Sequence, residues 1–305
     1  MNTVKPPFSK GGGAQRRRVA AKRLSCVYER IIMSNTLYVV GTPIGNMSDM
    51  TPRAVETLQQ VDFIAAEDTR VTVKLLNHFG IKKPMISYFE HNKHEKGKQI
   101  IDRILSGESC AIVTDAGMPC ISDPGEDLIK QCEEAGVKTV VVPGPSAVIS
   151  ALAVSGLETG RFTFEGFLSV NKKSRSEHLE SLLQERRTMI FYEAPHKLPN
   201  TLKDLYATFG DRKLTIAREL TKVHEEIIRT TTKEAARQYA DGSLKGEIVL
   251  VLEGRKETEK AEISLSDAVA YAQSLIDNGM RPTDAAKEAA AMAGLKKNDI
   301  YKELM

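Results

Sequence analysis

The sequence predicts an α/β protein: two α/β halves in tandem, then a small helical module. Three observations carry that expectation. Between residues 36 and 252, short β-branched and apolar runs alternate with segments of helical periodicity, the pattern of strands covered by helices. A proline-framed bend, Pro143-Gly144-Pro145, lies near the middle of this region, and the alternation restarts beyond it. After a charged linker at 257–260, residues 262–305 show an alanine-rich helical pattern and no strand signal. These signals divide the chain into a basic extension over 1–33, a first α/β domain over 34–145, a second over 146–255 and a helical module over 262–305.

The first strand, 36–40, runs into a glycine loop, Gly41-Thr42-Pro43-Ile44-Gly45-Asn46. A second strand, 61–66, ends on the acidic pair Glu67-Asp68, which together with the loop suggests a dinucleotide site. The loop is not GxGxxG, however. Pro43 stands where that fingerprint needs a flexible backbone, and Asp49 and Pro52 intervene before the helix, so NAD binding is disfavoured. Glu67-Asp68-Thr69-Arg70 sets two carboxylates, a hydroxyl and a guanidinium at a strand's carboxyl end, where α/β proteins hold ligands. Asp68 or Thr69 can equally cap a helix over 71–79, with Arg70 paired to Glu67; the two roles are compatible. His91, His94 and Glu95 lack a third ligand at zinc spacing and mark a solvated helix start, leading to a helix over 98–105 and a strand over 109–114. The segment 115–125, DAGMPCISDPG, is rich in Gly, Pro and Asp yet apolar for a surface loop. It is either a plain turn or a set of carbonyl and carboxylate acceptors facing a crevice, suited to a cation or nucleoside hydroxyls more than to phosphates.

Val140, Val141 and Val142 read as a buried strand, stopped by two prolines that cannot continue a ladder. Ser146 is a good N-cap for a short helix of small residues closed by Gly156 at C′. Strand, turn and helix N-terminus together form either an ordinary strand–helix turn or a ligand floor rich in free backbone N–H groups, doubling as the hinge between the halves. In the second half the strands are expected at 162–166, 188–192, 213–217, 226–229 and 248–252, in a more mixed sheet. A basic helix around Lys172, Lys173 and Arg175 and a helix over 197–209 lie between them. Residues 282–295 suggest a helix-turn-helix-like unit whose Lys296, Lys297 and Lys302 could meet phosphates; a helical cap over a sheet is the alternative.

A chain of 305 residues, 41% hydrophobic and 27% charged, suits roughly two globular domains of about 150 residues each. No apolar run approaches the roughly 18 residues of a membrane span. Cys26, Cys110, Cys120 and Cys132 form no CxxC pair and read as reduced structural thiols of a cytoplasmic protein. Residues 1–32 hold eight basic residues against Glu29 alone, a local charge of +7 that leaves −4 on the remainder of a chain totalling +3. The body therefore has no overall field to attract a polyanion. The extension lacks the apolar core of a secretory signal, although Val19, Leu24, Val27 and Ile31 could line a basic helix for nucleic acid or targeting. Met33 directly precedes the first regular segment, so translation is expected to begin there; a basic arm is the alternative.

Six ordered strings carry a resemblance: GTPIGN (41–46), EDTR (67–70), DAGMPCISDPG (115–125), PGPSA (143–147), FYEAPH (191–196) and RELTKVHEE (218–226). With them the chain resembles the ribosomal RNA small subunit methyltransferase I family, 2′-O-methyltransferases of the tetrapyrrole-methylase superfamily. The resemblance covers residues 34–253, with a similar helical extension to 305. It implies two α/β domains of tetrapyrrole-methylase type with S-adenosyl-L-methionine in the cleft between them, a homodimer, and no metal. The acceptor it implies is a cytidine ribose in the decoding region of 16S rRNA, met as part of the small ribosomal subunit. Carried over by position, Ile44, Gly45, Asp115, Ala116, Gly117, Ser146, Ala147, Glu193 and Leu220 would contact the cofactor. Glu67, Asp68 and Arg70 would face the substrate, with Asp68 favoured as proton acceptor and Glu67 second, and Arg70, Arg218 and Lys222 holding RNA phosphates. A methylase acting on a tetrapyrrole ring is a weaker alternative, since the chain has no Trp and few aromatic residues. A non-catalytic RNA-binding protein is another.

Overall fold

Five short apolar segments, β1 (Thr36–Val40), β2 (Phe63–Ala66), β3 (Met85–Ser87), β4 (Cys110–Val113) and β5 (Lys138–Val142), pair in parallel in the order β3-β2-β4-β1-β5. The computed structural model describes residues 34–256 and 264–305, so the expectations for the basic extension and for Met33 as a start lie outside the described residues. Crossovers α1 (Pro52–Gln60), α2 (Thr69–His78), α3 (Lys93–Leu105) and α4 (Gly125–Glu134) connect the strands. The β1, β2 and β4 residues are buried throughout, as strands covered on both faces must be. Leu37, Phe63, Ile100, Ile104 and Leu128 fill one face, and Val40, Leu58, Ile64 and Val113 the other.

One expectation is corrected here. The valine run is not a buried strand: β5 is an edge, where Val141 is 55% exposed while Val142 is fully buried. A β-branched run reports strand propensity, but burial depends on where sheet order puts the strand. Two elements, the three-residue β3 and α4 at the end of the 115–125 loop, have no counterpart in the sequence expectation, and α3 starts at Lys93 rather than Lys98.

Beyond the Pro-Gly-Pro bend, α5 (Ala147–Ser155) is capped by the Ser146 hydroxyl, which accepts from Ile149 N, and closed by Gly156 at φ 78°. Its Val148, Ala151 and Leu152 pack on a second sheet. That sheet contains β6 (Phe162–Phe167), β7 (Thr188–Glu193), β8 (Lys213–Arg218), β9 (Glu226–Thr231) and β10 (Ile248–Leu252), ordered β6-β7-β10-β8-β9. Only β6 and β7 are parallel. Helices α6 (Lys172–Ser181), α7 (Leu198–Phe209) and α8 (Thr232–Gln238) lie among these strands in the chain, and Leu179, Leu202, Leu205 and Ala235 join Phe191 and Leu250 in a core on one face. The second compact unit includes α9 (Leu265–Asp277), α10 (Pro282–Ala293) and α11 (Lys297–Glu303), packed through Ala268, Ala272, Ala285, Ala286, Ala289 and Ile300. Small residues let those helices approach closely.

Candidate active site

The strand ends of both sheets surround a cavity of about 430 Å³, within the range of small-molecule sites. Its construction starts at the glycine loop after β1. Gly41 N donates to Val142 O at 3.0 Å, and Thr42 exchanges two backbone hydrogen bonds with Gly117 at 2.9 and 3.2 Å. A Cβ on Gly41 would lie 2.7 Å from the Gly144 backbone, and one on Gly144 would lie 2.9 Å from Gly41, so this crossing admits only glycine. The loop then carries Ile44 into the core of the second sheet, beside Val148, Leu220 and Val249. One side chain thus seals the floor where the two sheets meet.

The 115–125 loop forms one wall. Gly117 adopts φ 88°, and Cys120 and Ser122 sit at φ 70° and 64°, a conformation disfavoured for side-chain-bearing residues and concentrated at functional sites. Asp123 stabilises it: Oδ1 accepts from Cys120 N at 2.9 Å and Gly125 N at 2.7 Å. Its Oδ2 is buried and has no hydrogen-bond partner among the described residues. Burial pushes the Asp123 carboxyl above its usual range, against the pull of those two amides. Asp123 itself is among the residues that line the cavity.

Glu67 also lines the cavity and accepts from Thr114 Oγ1 at 2.5 Å. Its neighbour Asp68 turns away to cap α2: Oδ1 accepts from Arg70 N at 2.8 Å, and the carboxylate takes the Arg70 guanidinium in a two-pronged pair, with Nη2 to Oδ2 at 2.6 Å. Arg70 lowers the Asp68 pKa to about 2. Neither residue lines the cavity. Asp115 Oδ1 accepts from Asp68 N at 3.2 Å, and burial, then the Glu67 charge, raises its pKa.

From the second sheet come Glu193, Leu220, Ala217 and Val249. Glu193 is buried and accepts from Ala194 N and the Thr201 hydroxyl, so it holds the end of β7 rigid. Glu219 and Thr221 take φ 51° and 66° in a turn tied to Glu247 by Glu219 N to Glu247 O at 2.9 Å.

Of the residues singled out in the sequence, Ile44, Glu67, Ala116, Gly117, Ser146, Ala147, Glu193 and Leu220 line the one cavity. Gly45, Asp68, Arg70, Asp115, Arg218 and Lys222 do not. Lys222 Nζ is held by Glu219 and Glu247 at 2.9 and 3.0 Å, and Arg218 by Glu226 at 2.9 Å. Among the lining residues left unassigned in the sequence are Asp123, Tyr192 and Phe167. The first two lie within motifs already quoted, where an acidic residue in an apolar loop and a polar aromatic at a strand end were available signals. The Cys120 and Cys132 thiols are pushed up to about 12 by burial, which makes them poor nucleophiles.

The fold and cleft define a protein class. The family model described as Tetrapyrrole (Corrin/Porphyrin) Methylases matches residues 36–236. Solved structures share the fold at low identity. Diphthine synthase has a TM-score of 0.54 and 16% identity, covering 72% of this chain and 90% of that one. Uroporphyrin-III-C-methyltransferase from Thermus thermophilus has 0.52 and 16%, covering 72% and 94%. Among curated relatives, ribosomal RNA small subunit methyltransferase I of Synechocystis sp. is 47% identical over 87% of this chain and 95% of its own length. Those of Halalkalibacterium halodurans and Bacillus subtilis are 45% and 42% identical over 90% and 87% of this chain, and 96% and 92% of theirs. The chain belongs to the ribosomal RNA small subunit methyltransferase I family of tetrapyrrole-type methylases.

Proposed function

We propose that this chain transfers a methyl group from S-adenosyl-L-methionine to the 2′-oxygen of a cytidine ribose in the decoding region of 16S rRNA, acting on the small ribosomal subunit as a cytoplasmic homodimer. The observation that carries the reading is a cavity lined from both sheets by Ile44, Glu67, Ala116, Gly117, Ser146, Ala147, Glu193 and Leu220. Its lining suits a nucleoside-bearing cation: apolar walls from Ile44, Ala147, Leu220 and Val249, a backbone edge at Ala116-Gly117, and the carboxyl groups of Glu67, Asp123 and Glu193. These residues would hold the donor, whose sulfonium supplies an already activated methyl group. No described cluster of side chains is arranged to hold a metal ion.

The chain's own work is then alignment and proton removal. Rigid positioning in a closed cleft supplies about 7–11 kcal/mol, and a general base adds about 10²–10⁴-fold in rate. Geometry supports Glu67 as the base: it lines the cavity and accepts from Thr114, whereas Asp68 is committed to Arg70 and the α2 N-terminus. The role proposed for Glu67 is to accept the 2′-hydroxyl proton, and for Asp68 and Arg70 to hold the rim beside it. RNA contacts by Arg218 and Lys222 would require exchange of the carboxylate partners they now hold. The C-terminal helices carry five basic and six acidic residues over 264–305, so phosphate contacts there rest on Lys296, Lys297 and Lys302 locally.

The test is mass mapping of ribose methylation in 16S rRNA from cells with and without the gene. One decoding-region cytidine should lose its methyl group in the deletion and regain it on complementation. An unchanged map would overturn the reading.

A further inference from the structure

Strand β6 contains a local irregularity that the methyl-transfer reading does not use. Its register against β7 shifts between Phe164 and Gly166: Phe164 pairs with Ile190, Gly166 with Phe191 and Phe167 with Tyr192. In an unbroken strand, Phe164 and Phe167 would point to opposite faces. The extra residue, Glu165, is held out by His178 Nε2 at 3.0 Å, Gly166 absorbs the kink at φ 64°, and Phe167 rejoins the face of Phe164. There it meets Tyr192, ring centroids 5.4 Å apart, while Phe164 meets the same tyrosine edge-on at 4.9 Å.

The result is an aromatic ring that lines the cavity yet is 57% exposed, which places it at the mouth. Ile121, also lining and 54% exposed, comes from the opposite loop, and Ser122 Oγ lies 3.6 Å from where a Gly166 Cβ would stand. Folding gains little from an exposed phenylalanine, so a bulge that aims one at a cavity mouth calls for a ligand. A flat apolar face, supported from behind by a second ring, suits a nucleobase drawn out of its stack. The chain leaving Phe167 runs through Val170, 76% exposed, into α6, where Lys172 and Lys173 are exposed cations for a flanking phosphate.

We propose that Phe167, aimed by the β6 bulge and backed by Tyr192, is the platform on which the base of the target nucleotide stacks while its ribose enters the cavity. Phe167 is a positioning residue, and the assignment rests on the RNA methyltransferase reading above.

The experiment uses full-length protein and small ribosomal subunits from cells lacking the gene, with S-adenosyl-L-methionine affinity measured separately by calorimetry. Phe167→Ala should lower kcat/KM for the subunits by roughly ten- to a hundredfold, leaving the donor Kd and the thermal midpoint unchanged. Phe167→Trp should restore most of the loss, and Phe167→Leu, apolar without a π-face, should not. Full activity in Phe167→Leu, unchanged kcat/KM in Phe167→Ala, or a parallel loss of donor affinity would each overturn the platform. The last of these would make Phe167 a wall of the donor site instead. A wild-type protein that binds donor but methylates no subunit RNA would overturn the function itself, and the platform with it.

Discussion

The two sheets contribute unlike halves to one cavity. The parallel sheet presents strand ends and loops carrying charge: Glu67 after β2, Thr114 and Asp123 after β4. The mixed sheet presents mainly shape: Leu220, Ala217, Val249, Tyr192 and Phe167, with its carboxylates already engaged, Glu193 by its own backbone and Thr201, and Glu247 by Lys222. Parallel strands all deliver their carboxyl ends, and so their loops, to one side. An antiparallel neighbour such as β10 delivers its first residues there instead, and Ile248 and Val249 arrive as strand rather than loop. The difference suggests a division of labour, with reactivity drawn from one sheet and fit from the other.

That division can be broken by experiment. Glu67→Gln, which keeps the shape and removes the charge, should cut single-turnover methylation by about 10²–10⁴-fold with donor affinity unchanged in calorimetry. Equal losses in both would end the separation. Gly144→Val attacks the crossing that holds the halves in register. Its Cβ would lie 2.9 Å from the Gly41 backbone, and the displacement should cost about 100-fold in the same assay together with donor uptake. Leu220→Ala removes fit alone, so the donor Kd should rise roughly tenfold while the rate at saturating donor holds. Asp68→Ala should have the smallest effect on turnover, because that carboxylate is spent on Arg70 and the helix cap. Its signature is in stability. Arg70 depresses the Asp68 pKa from 3.8 to about 2, so its contribution is complete above 3.8 and is lost as pH falls towards 2. Melting curves of wild type and Asp68→Ala should therefore differ equally at pH 5 and 7, and converge only below that window.

Much of this could be read from the chain. Ser146 as a cap, Gly156 as a left-handed terminator and the Pro-Gly-Pro bend are local signals, and each element forms as those residues require. The contrast between Glu67 and Asp68 could not be read so. They are chemically alike and adjacent, and only the start of α2 and the position of Thr114 just after β4 turn one into the helix and the other into the cavity. Phe167 was hidden for a related reason: the apolar alternation of Phe162 and Phe164 breaks at Glu165-Gly166, and nothing local says on which face the strand resumes. Burial of β5 was misjudged because three valines mark a strand but not its rank in the sheet.

By itself, then, the sequence determined where most helices and strands lie, though not β3, α4 or the start of α3, and which loops carry the chemistry, because caps, prolines and periodicity act within a few residues of themselves. Sheet order, the β6 register shift and the approach of Gly41 to Gly144 were decided only by the tertiary structure. They depend on partners far apart in the chain, whose contacts exist only once both sheets are packed.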